Sequence, residues 1–248
     1  MDYEKDFEEG YENTSLGSIY YRYHPGSGKK MIFLHGLGSS SKTWAELMGY
    51  MPDDFDILLL DLLGHGKSDK PRIDYTIETQ FQALREFIAL RNSGDSYIYG
   101  ASYGGWLAAY YATQPYTCKG IILQCAIGLQ EFADERLNME NLESGKERLV
   151  RGTMQHNPSN DEYAIRSIIN YEYTEGLLTT DLLNMIKVPT LIIWGSDDIT
   201  VDKKYGKLFA EKIKNSRLEI IEGAAHMAQH THPGEISKLI LEFMSQHG

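Results

Sequence analysis

The sequence predicts an α/β protein with a mostly parallel sheet flanked by helices, and three observations carry that expectation. Short β-rich apolar runs alternate with longer stretches of helical period along most of the chain, as parallel strands joined through crossover helices require. Most of those runs are continuously apolar, which is how strands covered on both faces read. The chain has 248 residues, 42% hydrophobic and 24% charged, an ordinary globular composition with length for one or two domains.

The elements follow in order. Residues 16–23 alternate and are rich in Ile and Tyr, the pattern of a half-exposed strand. Residues 30–34 and 57–60 are short, continuous and mainly apolar, and 96–99, 120–124 and 190–194 repeat that pattern; 217–221 is a weaker copy. Between them, residues 75–90 place Ile77, Phe81, Leu84 and Ile88 on one helical face, and 106–113 and 236–244 are similar. Residues 128–187 break the rhythm. They hold no convincing strand and are rich in charge, Met and Leu, which predicts two to four short helices inserted after the strand ending near Cys125. The expected division is a core of residues 1–127 and 188–248 with a helical cap at 128–187, either a lid over a pocket or a decoration that only stabilises the sheet.

Several function classes are disfavoured at once. The longest apolar run, residues 55–63, is interrupted by Asp56 and Asp61 and is far short of the ~20 residues of a membrane span. Residues 1–12 are acidic and lack the apolar stretch of a secretory signal. The formal charge of −11 argues against a nucleic-acid partner, which needs a basic face. Cys118 and Cys125 are too few for a disulfide framework and read as small buried residues. A reduced, cytoplasmic monomer or homodimer is expected, free of membrane and nucleic acid.

The chemistry-bearing motif is Gly100-Ala101-Ser102-Tyr103-Gly104, a G-x-S-x-G pattern between a predicted strand and a predicted helix. A serine exposed on so sharp a turn needs neighbours without Cβ, and the helix start behind it favours developing negative charge. A second loop, His35-Gly36-Leu37-Gly38, follows the strand at 30–34. Acyl transfer by serine needs backbone N–H groups aimed at an oxyanion, and those of Leu37 and Tyr103 are the natural donors. His35, Gly36 and Tyr103 are expected beside the substrate pocket, with the His35 side chain ordering its loop and the Tyr103 ring near the pocket.

Serine also needs a base, usually a histidine oriented by a carboxylate. His226 follows the weak strand at 217–221, with His230 and His232 close behind. Asp197 and Asp198 follow the strand at 190–194, at the sheet edge where open α/β proteins bind ligands. Asp197 or Asp198 serves as acid, and His226, His230 or His232 as base. The three histidines lack the H-E-x-x-H pattern of a zinc site, so no metal or other cofactor is expected. The loop Asp61-Leu62-Leu63-Gly64-His65-Gly66-Lys67-Ser68 reads as a tight turn, with Ser68 and Asp69 bonding the backbone.

Taken together, His35–Gly38, Asp61–Ser68, Gly100–Gly104, Gly195–Asp198 and Gly223–His226 followed by Pro233 resemble the α/β-hydrolase superfamily, in its branch of small capped esterases, over nearly the whole chain. The resemblance implies the α/β-hydrolase fold with Ser102 as nucleophile, Asp198 as acid and His226 as base. Two departures are Ala225 where the family often has glycine, and Leu63 where it usually has proline. The implied reaction is hydrolysis of a small-molecule carboxylic ester through an acyl-enzyme. Alternatives with the same three residues are carbon–carbon hydrolysis of β-diketone-like acids, for which Arg136, Arg148, Arg151 and Arg166 could attract an anion, and thioester cleavage or acyl transfer. A binding protein on the same fold is the alternative from outside enzymology.

Overall fold

The computed structural model describes residues 1–138, 140–157 and 159–247. Eight strands form one sheet: β1 (Glu8–Thr14), β2 (Gly17–His24), β3 (Lys30–Leu34), β4 (Asp56–Leu60), β5 (Tyr97–Ala101), β6 (Gly120–Gln124), β7 (Thr190–Gly195) and β8 (Ser216–Ile221). Their order is β1-β2-β4-β3-β5-β6-β7-β8. β1 and β2 run antiparallel at one edge, and β4 through β8 are parallel. The helices are α1 (Ala45–Met48), α2 (Ile77–Leu90), α3 (Tyr103–Thr113), α4 (Gln130–Leu137), α5 (Leu142–His156), α6 (Glu162–Tyr171), α7 (Thr180–Met185), α8 (Lys204–Lys212), α9 (Ala228–Thr231) and α10 (Pro233–Gln246).

Strand alternation feeds two cores. Ile32, Leu34, Leu58, Leu60, Ile98, Ile121, Leu123 and Ile192 pack on one face with residues of α2, α3 and α8. Their chain neighbours Met31, Phe33, Ile57, Leu59, Tyr97, Tyr99, Ile122 and Ile193 pack on the other face with α1 and α10. A strand apolar at every position is thus the sequence consequence of two buried faces. The four central parallel strands end together, so the loops after Leu34, Ala101, Gln124 and Gly195 share one edge of the sheet.

Three elements carry little sequence signal. β1 has charged or polar residues at most positions and buries none of them. It is held by pairing with β2 and by Arg22, whose guanidinium meets Glu9 at 2.8 Å and Glu4 at 3.3 Å. The short 3₁₀ turn at Ser41–Trp44 with α1 is fixed instead by burial of Trp44, Leu47 and Met48. α8 is highly charged and inserts only Tyr205, Gly206 and Phe209 into the core.

Between β6 and β7 the chain forms α4, α5, α6 and α7. α5 and α6 share a small cluster of their own, Val150, Ile165 and Ile169, packed against Leu37 of the loop after β3. The turn after β4 forms as the residues suggest: Ser68 Oγ donates to Asp61 O at 2.5 Å and accepts from Tyr20 N at 2.8 Å, while Asp69 accepts from Ser18 N at 2.8 Å.

Candidate active site

Ser102 stands between β5 and α3 with φ 52° and ψ −113°, a left-handed backbone that costs a non-glycine residue about 1–3 kcal/mol. The surroundings hold it there. Ser102 N donates to Gln124 O at 2.8 Å, and Ser102 O accepts from Trp106 N at 3.1 Å as the first carbonyl of α3. The turn is too tight for side chains: a Cβ on Gly104 would lie 2.2 Å from Leu34 O, and one on Gly100 2.1 Å from Gly104 O. The spacing of the glycines therefore reports crossing backbones, and the serine is what the crossing exposes.

The loop after β3 lies against it. A Cβ placed on Gly36 would be 3.3 Å from Ser102 Cβ. His35 is fully buried, and burial pushes its imidazole down to about 4. Its Nε2 accepts from Leu62 N at 3.0 Å and its Nδ1 meets Gly36 O at 2.8 Å, which fits a neutral ring with the proton on Nδ1. His35 thus ties the loops after β3 and β4 together.

Asp198 and His226 come from the loops after β7 and β8. Asp198 Oδ2 accepts from His226 Nδ1 at 2.8 Å, and Asp198 Oδ1 accepts from Thr200 N and Val201 N at 2.9 Å each. The Asp198 side chain is 0% exposed and that of His226 16%. Burial alone would raise the Asp198 carboxyl; the His226 hydrogen bond and charge and the Val201 N–H outweigh it and hold the acid below its ordinary value. With Nδ1–H committed to Asp198, Nε2 is the nitrogen left to act as a base. The competing residues lie elsewhere. Asp197 is exposed and bonds its neighbour Ser196, His230 bonds Glu46 and Thr43, and His232 bonds Thr231.

Cys125 is a neighbour that its sequence position did not announce. It follows β6 at φ 44°, and its thiol lies beside the Asp198 carboxyl, where burial and that charge push it well above the usual thiol range. Cys125 Sγ, an Asp198 oxygen and a His226 nitrogen lie within 4.8 Å of one another. That closeness comes from the Asp198–His226 hydrogen bond and from the pairing of β6 with β7, and a thiol held protonated is a poor metal ligand.

Ser102 and His226 open onto one cavity of about 790 Å³, lined also by Gly36, Leu37, Val201 and Met227. Residues of α4, α5 and the chain after α6 complete the wall, among them Phe132, Arg136, Arg148, Thr153 and Glu172. Of the residues expected at the pocket, Gly36 lines it. His35 and Tyr103 do not; both are buried, because each faces the protein interior from its loop or helix start. Of the four arginines, Arg136 and Arg148 line the cavity, whereas Arg166 is paired with Glu147 and with Glu162, the latter at 2.8 Å.

The family model of the alpha/beta hydrolase fold matches residues 29–167 and 166–233, and the chain belongs to that family. It is 23% identical over 263 residues to the monoacylglycerol lipase ABHD6 of Rattus norvegicus, covering 91% of this chain and 78% of the relative. An uncharacterized protein of Mycobacterium tuberculosis is 24% identical over 259 residues, covering 88% of this chain and 76% of the relative. A hydrolase from Pseudomonas aeruginosa PA01 shares the fold with a TM-score of 0.80 at 18% identity, covering 96% of this chain and 98% of that one. No helix among the described residues is long and apolar enough to cross a membrane.

Proposed function

We propose that this protein is a serine carboxylesterase that needs no cofactor. The observation that carries the reading is the Asp198–His226 hydrogen bond of 2.8 Å on the wall of the cavity that holds Ser102 at φ 52°. His226 Nε2 takes the Ser102 proton as Oγ attacks the ester carbonyl. The N–H groups of Leu37 and Tyr103 hold the oxyanion, and Asp198 stabilises the imidazolium. The alcohol leaves with the proton from His226. Water, deprotonated by the same histidine, then attacks the acyl-enzyme, and Ser102 regains its proton as the carboxylic acid departs.

Residues 128–187 act in this reading as a cap that shapes the pocket, a role supported by how many of the lining residues they supply. The similarity to a monoacylglycerol lipase favours an ester as substrate. The test is steady-state hydrolysis of p-nitrophenyl esters from acetate to palmitate. A maximum at one chain length that vanishes in Ser102→Ala is expected; turnover near wild type in that variant overturns the assignment.

A further inference from the structure

Glu172 is a buried acid of the cavity whose chemistry the esterase reading leaves unused. It follows α6, is 6% exposed, and lines the cavity that contains Ser102 and His226. Its Oε2 is buried with no hydrogen-bond partner among the described residues. A buried carboxyl oxygen left unpaired is costly, and native proteins rarely retain one without a use. Three groups face it. Arg136 of α4 is close enough to exert a favourable charge, though its guanidinium also donates to Thr200 O at 3.0 Å. Tyr103 at the start of α3 and Tyr173 beside it are both buried phenols that sense the Glu172 charge, and the Tyr103 hydroxyl is likewise without a partner. Burial outweighs the Arg136 attraction and pushes the Glu172 carboxyl up to about 7, so below that pH it is a neutral acid that can donate as well as accept. The walls near it, Phe132 and Tyr173, are otherwise apolar rings.

We propose that Glu172 is a specificity-determining residue that hydrogen-bonds a neutral hydroxyl of the substrate inside the cavity, so that the enzyme prefers hydroxylated esters to hydrocarbon esters of the same shape. A hydroxyl suits the position because it can accept from the protonated acid and donate to the carboxylate of Glu172, which lines the cavity. A methyl group in its place would leave the Glu172 carboxyl without a hydrogen-bond partner from the substrate in a closed site, which is the situation that gives binding sites their discrimination. The inference rests on the esterase reading and deepens it.

The test uses two isosteric pairs in which OH replaces CH₃. One pair differs in the alcohol, 2-hydroxyethyl against propyl hexanoate. The other differs in the acyl chain, p-nitrophenyl 6-hydroxyhexanoate against heptanoate. In wild type, kcat/KM is expected to favour the hydroxylated member of at least one pair by about tenfold or more. Glu172→Gln, which keeps a donor and an acceptor, should hold that ratio within a few-fold, and Glu172→Leu should abolish it. A wild-type ratio near one in both pairs, or a ratio unchanged in Glu172→Leu, overturns the proposal, and the first of these outcomes needs no variant to fold. Calorimetric titration of Ser102→Ala with the same four esters reads the preference as binding. If no ester is turned over the esterase reading fails, while the titration still decides for or against the Glu172 contact.

Discussion

Asn160, in the connection between α5 and α6, donates its side-chain amide to Gly38 O at 2.6 Å. Asn157 donates to the same carbonyl at 3.1 Å. The segment inserted between β6 and β7 therefore grips the loop whose Leu37 N–H is proposed to hold the oxyanion. Losing one hydrogen bond at a buried carbonyl costs about 1 kcal/mol, and a loop shifted by a fraction of an ångström loses more in the transition state than in the fold. Asn160→Ala should lower kcat/KM for p-nitrophenyl esters by about tenfold while unfolding only about 1 kcal/mol more easily. Ester kinetics with urea unfolding of the same preparation checks both; an unchanged kcat/KM would leave Asn160 a purely structural tie.

Replacing Asp198 separates its charge from its shape. Asp198→Asn can still accept from Thr200 N and Val201 N through its carbonyl oxygen, so the loop after β7 should persist. Its amide would donate toward His226 Nδ1, forcing the imidazole proton onto Nε2, the nitrogen that must accept from Ser102. A loss in kcat of roughly 10³-fold or more is expected, with near-wild-type stability. Single-turnover and steady-state rates across pH 6–9 measure it, and a loss below tenfold would argue that Asp198 only anchors the loop.

The sheet is legible in the sequence because each central strand buries both faces, which leaves a run such as Ile57-Leu58-Leu59-Leu60 with no polar interruption. β1 is not legible, since its residues remain at least partly exposed and edge pairing asks for no apolar face. The nearness of Asp198 to His226 is legible because both follow strands that prove to be neighbours, β7 and β8. Cys125, Asn160 and Glu172 are of another kind. Cys125 is brought to Asp198 by the pairing of β6 with β7, while Asn160 and Glu172 are unremarkable until the chain between those strands folds back over the sheet edge, a return that no local pattern encodes. Tyr103 shows the converse limit: its place beside Ser102 suggests a pocket ring, but the helix start turns the side chain into the core.

Thiol reactivity offers a test that does not depend on any substrate. Burial pushes Cys118 up to about 12 and Cys125 well above the usual thiol value, the latter reinforced by the Asp198 charge. A thiol at about 12 instead of 9.0 has its thiolate population at pH 8 reduced by about 10³. Native protein should therefore react with iodoacetamide far more slowly than an unstructured thiol, and both cysteines should label promptly once the chain is unfolded in guanidinium. Rapid modification of Cys125 in the native state would mean that the contact to Asp198 opens easily.

Glu172 also predicts how stability depends on pH. Its carboxyl lies at about 7 in the folded protein against an ordinary 4.5, so between those values the folded state binds the proton that the unfolded state has released. Stability from this group is fully present below pH 4.5 and is lost as pH rises through about 7. At 1.36 kcal/mol per unit, the wild type should lose roughly 3 kcal/mol on this account. Glu172→Gln has nothing to ionise and escapes that loss. Its stability relative to wild type should rise between pH 4.5 and pH 8 by a like amount, measured as the difference in urea unfolding free energies at each pH. The Arg136 guanidinium nearby works against the effect by favouring the carboxylate, so Arg136→Met should enlarge the pH dependence of an otherwise unaltered Glu172. Parallel pH profiles for wild type and Glu172→Gln would show instead that the folded protein gives this carboxyl enough solvent or cation to stay ionised, and would remove its capacity to donate a proton to a substrate hydroxyl.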